Sequence, residues 1–307
     1  MKKFLIAIVI LAVIGLGVFW FVTAPKTIGP EALAANYTPD LKNGEEMFNA
    51  GGCAGCHTTV GQKERLRLGG GMALKSPFGT FHVPNISPDK ANGIGDWTEL
   101  QFVNAVQRGV GIHGEHLYPA LPYTSYQRMH VTDVRDMFAY IKTLPDDATA
   151  DKPYEIGFPF NIRRLLGGWK FRYMDDKEDA ADPAHDAQWN RGGYLVEGPG
   201  HCAECHSPRD AMGGIVQASR FAGAPNMDGP GWIPNITPHA DGIKWAKEDM
   251  VTFLETGQTP DFDSAGGSMA EVIENMSRLT PEDREAMADY LVSLPPRPGK
   301  APATAKK

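Results

Sequence analysis

Two copies of one five-residue pattern, Cys53-Ala54-Gly55-Cys56-His57 and Cys202-Ala203-Glu204-Cys205-His206, contain every cysteine of the chain. In the form C-x-x-C-H the two thiols stand about one helical turn apart, which lets them add to two vinyl groups on one edge of a porphyrin while the adjacent histidine aims its imidazole at the iron. The pattern reads as covalent attachment of haem c through Cys53, Cys56, Cys202 and Cys205, with His57 and His206 as iron ligands. A redox pair or half of a zinc site also fits one such motif. Two motifs and no further cysteine leave no thiol for a disulfide or a four-thiolate zinc site. A thiolate-ligated active haem is excluded on the same count.

The motifs belong to an internal repeat. Cys56 and Cys205 are 149 residues apart, Pro84-Asn85-Ile86-Ser87-Pro88 returns as Pro234-Asn235-Ile236-Thr237-Pro238, and Ala139-Tyr140-Ile141-Lys142-Thr143-Leu144-Pro145 returns as Asp289-Tyr290-Leu291-Val292-Ser293-Leu294-Pro295. Gly44 and Gly193 both stand 12 residues before the second cysteine of their motif. Each copy has the same order of elements: a short helix leading into C-x-x-C-H, a Gly/Pro-rich excursion, a middle helix and a last helix. The first middle helix opens on the capping pattern at Thr98 and Gln101 and stops at Gly109; its counterpart runs from about Lys247 to Gly257. The last helices begin at Thr132-Asp133 and Thr280-Pro281 and end at Pro145 and Pro295. Three helices around a flat cofactor give each copy a core that about 110 residues would otherwise lack.

Ahead of the repeat, Phe4 to Val22 is an uncharged apolar run of 19 residues behind Lys2 and Lys3. As a helix it spans about 28 Å, the thickness of a bilayer's hydrocarbon core. The two lysines keep the N-terminus cytoplasmic and export the rest. A cleaved signal peptide is the alternative, since Val22-Thr23-Ala24 resembles a processing site; the length of the run and Pro25 directly after it favour an uncleaved anchor. A mean hydropathy of −0.30 excludes a multi-span membrane protein, and a net charge of −7 excludes a nucleic-acid binder driven by overall basicity.

The order of elements, with Tyr140 or Tyr290 on the last helix and a close-approach glycine on the first, resembles the class I cytochrome c fold. The stretches GGCAGCH, SPFGTFHVPNISPD, HLYPALPY, YLVEGPGHCAECHSPRD and DFDSAGGSMAEVIENMSRLTPED are similar to the membrane-anchored dihaem cytochromes that serve periplasmic alcohol and other quinoprotein, flavin or molybdenum dehydrogenases. The resemblance implies an all-α chain of two tandem class I cytochrome c domains behind one transmembrane helix, with two covalently bound haem c. It implies methionine as the sixth iron ligand. In the second domain Met269 matches the family's motif, with Met276 as its rival. In the first, the place where many relatives hold their methionine is Leu121, which cannot ligate iron; other relatives place it at Met129. His113, His116 and His130 are possible nitrogen ligands, each better suited to solvation or ordinary hydrogen bonding. Trp97 and Trp245 stand where an indole N–H could reach a haem propionate, and Asn85 and Asn235 where they could hold a loop against the haem edge.

The expected division is an anchor or signal over 1–29, cytochrome c domains over 30–150 and 191–295, a linker over 151–190 and a disordered tail over 296–307. In the linker, Arg163 and Arg164 among aromatics could neutralise propionates, or the segment could be an apolar strap packing one domain on the other. Residues 191–307, the second domain with its tail, carry −5 and are the more acidic part, which would steer a basic docking patch. The expected function is transfer of single electrons from a periplasmic dehydrogenase towards the respiratory chain. The acceptor would be the quinone pool, a soluble cytochrome or a terminal oxidase, and the chain would be single-pass in the inner membrane with its haem domains in the periplasm. The rival is a dihaem enzyme such as a peroxidase or a thiosulfate-oxidising cytochrome. A peroxidase needs an open or displaceable iron site, whereas both domains offer a methionine.

Overall fold

The computed structural model describes residues 1–227 and 229–299. The apolar run forms α1 (Lys2–Val22), none of whose side chains is buried. The first domain contains α2 (Leu41–Ala50), α3 (Cys53–His57), α4 (Glu99–Arg108), α5 (Tyr123–Tyr126) and α6 (Val131–Ile141). A connecting helix, α7 (Leu165–Tyr173), precedes the second domain, which contains α8 (Ala187–Glu197), α9 (Ala203–His206), α10 (Lys247–Thr256), α11 (Ser268–Met276) and α12 (Pro281–Val292).

Local chemistry explains where these helices begin and end. The Thr98 hydroxyl accepts from the Gln101 amide and the Gln101 side chain accepts from the Thr98 amide, a reciprocal cap that starts α4. Gly109 and Gly257 end α4 and α10 in the left-handed conformation that glycine adopts without strain. Asp40, Asp186 and Thr280 cap α2, α8 and α12 with side-chain oxygens.

Each domain is built on one helix crossing, α2 on α6 and α8 on α12. Glycine permits the close approach: a Cβ on Gly44 would overlap the Asp136 carbonyl, and a Cβ on Gly192 would overlap the Ala286 carbonyl. The partner of Gly44 in the repeat is thus Gly192 rather than Gly193, because the second copy has one more residue between this glycine and its first cysteine. Met47, Phe48, Leu195 and Met287 beside these crossings are almost wholly buried, each stabilising the fold by roughly 1.5–3 kcal/mol.

The chain is mostly helical, and all-α only approximately. β1 (Ala73–Ser76) and β2 (Gly79–His82) form a hairpin to which β3 (Glu155–Ile156) adds a third strand, and β4 (Ala224–Pro225) pairs with β5 (Trp232–Ile233). β3 belongs to the connecting segment, so this segment is sewn to the first domain. The second domain also continues beyond Pro295: the Arg297 amide donates to Thr237 Oγ1, and its guanidinium to the Gln217 and Arg220 carbonyls. The rest of the expected disordered tail, 300–307, lies outside the described residues.

The domains pack reciprocally. α11 lies against α2 and α3, while α5 meets α9 and the turn before it: Thr124 and Ser125 donate to Glu204, and the Tyr126 ring lies 5.6 Å from that of His201. Buried residues of both domains form one hydrophobic cluster.

Candidate haem sites

His57 ends α3, and its Nδ1 lies 2.8 Å from the Pro84 carbonyl oxygen. His206 repeats this with Pro234, also at 2.8 Å. A carbonyl can only accept, so Nδ1 carries the proton in both rings and Nε2 keeps its lone pair. Burial pushes the His57 pKa down to about 4 and lowers that of His206 against the pull of the same carbonyl, so both imidazoles are neutral at neutral pH. A neutral ring, oriented by a hydrogen bond from its far nitrogen, is the form that ligates a metal.

The two carbonyls are themselves held. Buried Asn85 donates to the carbonyls of Asp147 and Thr149 at 2.7 and 2.8 Å and accepts from the Ser87 amide at 2.8 Å. Asn235 donates to the Arg297 carbonyl at 2.8 Å and accepts from the Thr237 amide at 2.9 Å. Both asparagines therefore fix the loop that orients a histidine. The histidine backbones are pinned as well, the His57 carbonyl accepting from Gly70 and the His206 carbonyl from Gly223, each at 2.8 Å. The role of the Pro84 and Pro234 carbonyls was not read from the sequence, although the repeated Pro-Asn-Ile marked the place.

None of the four cysteines is in a disulfide; Cys53 and Cys202 are half-buried, and Cys56 and Cys205 are exposed. Burial pushes the Cys53 and Cys202 thiols up to about 12. Two thiols of graded exposure beside an oriented neutral imidazole are the donor set that haem c requires, and both copies fit it.

The methionines divide differently. Met269 lies in the first turn of α11 and is partly exposed. Met129 is fully buried in the turn between α5 and α6. Its amide donates to the Tyr126 carbonyl as the Leu279 amide donates to Met276 before α12, so Met129 stands where the second copy has a buried leucine. Leu121 follows Leu117, whose amide bonds Gly109, by four residues; Met269 follows Ala265, whose amide bonds Gly257, by four residues. Met276 is buried where the first copy has Tyr126.

The other candidates have structural partners. His116 Nε2 lies 2.9 Å from the Thr23 carbonyl, and His130 stacks on Tyr194 at 4.8 Å. Trp97 and Trp245 are half-buried against the core, the latter 4.9 Å from Phe253. Arg163 donates to the His116 carbonyl and lies over the Tyr118 ring, and Arg164 donates to Thr23 and covers Trp20. The connecting segment is thus a packing strap that ties α1 to the first domain. Trp169 and Tyr173 continue it to the second domain by donating to the Met212 carbonyl and to Asp210.

Repeated architecture and repeated motif define a tandem c-type cytochrome, and the cytochrome c family matches at residues 41–145 and again at 191–295: the chain belongs to this family. It is 44% identical to the "Diheme cytochrome c-type" protein of Cereibacter sphaeroides over 94% of this chain and 96% of that protein. It is 39% identical to the "Fructose dehydrogenase cytochrome subunit" of Gluconobacter japonicus over 85% of this chain, and spans 54% of that protein. It is 34% identical to the "Gluconate 2-dehydrogenase cytochrome c subunit" of Pantoea cypripedii over 87% of this chain, and spans 63% of that protein.

Proposed function

We propose that this chain carries two covalently bound haem c groups and passes single electrons from a periplasmic dehydrogenase to the respiratory chain. When bound, haem c supplies one-electron redox chemistry; the chain supplies ligands, orientation and a water-poor setting. Cys53 and Cys56 attach the first group and Cys202 and Cys205 the second. His57 and His206 present neutral Nε2 atoms, and Met269 offers a thioether to the second site. The observation that carries the reading is the duplicated histidine-to-proline-carbonyl hydrogen bond, which sets the same tautomer twice. Met129 is the thioether proposed for the first site, in competition with the packing role of its counterpart Leu279.

The relatives named for fructose and gluconate dehydrogenases support a dehydrogenase as donor. An electron-transfer role is favoured over the dihaem-enzyme alternative because the relatives carry the names of cytochrome subunits and not of peroxidases. The helix α1 is read as a retained anchor in the inner membrane, with the haem domains outside the cytoplasm. Thr23 at its end is 3% exposed, its carbonyl bonded by His116 and its hydroxyl by Arg164, contacts that cleavage after Ala24 would strip from the folded protein.

The test is purification from detergent-solubilised membranes. The intact mass should exceed the polypeptide by two haem groups, and both haems should be reduced when substrate of a co-purifying dehydrogenase is added. Turnover of peroxide or thiosulfate at enzymatic rates, about 1 to 10^3 per second, with no reduction by a dehydrogenase, would replace this reading with the enzyme alternative.

A further inference from the structure

Beside the end of α1 the connecting segment exposes large apolar side chains. Phe158 is 81% exposed, Phe171 71%, Phe160 44%, and Ile162 and Leu165 42% each. On α7, Leu165, Gly168 and Phe171 recur at a spacing of three and share one exposed arc, with Arg172 among them. The neighbouring arc rests on the end of α1, where a Cβ on Gly167 would overlap the Thr23 backbone. Arg164 locks the junction by donating to Thr23 Oγ1 at 3.0 Å and lying 4.0 Å over the Trp20 ring.

This junction fixes the height of the patch relative to a bilayer. If α1 spans the membrane, Trp20 and Thr23 stand at its outer boundary, where tryptophan accumulates. Whatever is tied to Thr23 stands at the same level. Exposed phenylalanines beside the exposed Arg172 are the composition of a segment lying in the headgroup layer, apolar side towards the acyl chains and cation towards phosphates.

We propose that residues 158–172 are a second membrane contact: the segment lies flat in the outer interface beside α1 and inserts Phe158 and Phe171, orienting the first domain on the bilayer surface. The proposal rests on the reading of α1 as a retained anchor. The occupant of the patch is lipid because the patch is continuous with the end of a helix that is itself wholly lipid-compatible, not because it is apolar alone. Phe262, equally exposed at 85% on a loop of the second domain with no tie to α1, is the internal control.

The experiment uses the full-length holoprotein in vesicles of phosphatidylcholine and phosphatidylglycerol containing a trace of phosphatidylcholine with a photoactivatable diazirine on its acyl chain. After illumination, labelled peptides are mapped by mass spectrometry. Label should appear on α1 and, several-fold above the peptide containing Phe262, on residues 158–172. The double substitution Phe158→Ser and Phe171→Ser should remove the label from that segment and leave it on α1. Label on α1 with residues 158–172 no higher than the Phe262 peptide overturns the second contact and leaves the anchor standing. Protection of those residues only when a dehydrogenase is added would assign the patch to a protein partner and equally overturn it. Label on neither segment removes the anchor and this proposal together.

Discussion

At the scale of single residues, the repeat supplies its own control substitutions. Leu279 shows what the position of Met129 needs for packing alone, so Met129→Leu should fold and separate ligation from packing. If Met129 ligates the first iron, the substitution halves the iron–sulfur charge-transfer absorption of the oxidised holoprotein and opens one haem to carbon monoxide; an unchanged band assigns Met129 to the core. Met269→Leu should remove the other half. Asn85→Ala takes one donor from the Asp147 and Thr149 carbonyls, removes the acceptor of the buried Ser87 amide and frees the Pro84 loop, at a cost of about 1–3 kcal/mol read by denaturant unfolding of the holoprotein. The candidate cysteines and histidines stand out in the sequence because haem c attachment requires a fixed local spacing. The sixth ligand does not, because thioether ligation and thioether packing place the same side chain in the same buried turn.

At the scale of elements, helix ends followed from local caps such as Thr98 with Gln101, while the close-approach glycine of α8 was displaced by one residue. The extra residue in the second copy changes the spacing without changing the pattern, and only the contact with Ala286 distinguishes Gly192 from its neighbour. Gly192→Ala should therefore cost about 1–3 kcal/mol or more, because backbone must move, whereas Gly193→Ala meets only the Tyr290 ring edge at 3.1 Å and should cost less; thermal unfolding of the two variants tests the order. The hairpin of β1 and β2 was hidden because two four-residue strands in a Gly/Pro-rich excursion show too little alternation to register. On α7, Lys170 donates to the Arg108 and Gly109 carbonyls at the end of α4, and burial lowers its pKa from 10.5 to about 7, opposed by Asp176. Between these values the unfolded chain binds the extra proton, so stability should rise as pH increases from 7 towards 10. Lys170→Met should flatten that rise in a pH series of unfolding curves.

At the scale of the whole molecule, the repeat predicts two domains and says nothing of how they meet, since every contact across the boundary joins residues far apart in sequence. The structure joins them at the two attachment turns. The Tyr126 hydroxyl donates to the Gly51 carbonyl at 2.9 Å, two residues before Cys53, and the same ring packs on His201, the residue before Cys202. Around this point Tyr194 of α8 donates to Asp133 at the start of α6, and Arg65 pairs with Glu274 of α11 at 3.7 Å. One hydrophobic cluster runs through both domains, so removing either domain would expose core belonging to the other. The holoprotein should accordingly unfold in a single calorimetric transition, its van't Hoff and calorimetric enthalpies equal. Tyr126→Ala removes a ring that touches both turns and should cost about 3–5 kcal/mol. Because that loss falls on the boundary and not inside either helix crossing, the single transition should divide into two, each with the enthalpy of one domain. A variant that melts earlier but still in one step would place the coupling in the surrounding cluster instead of at Tyr126.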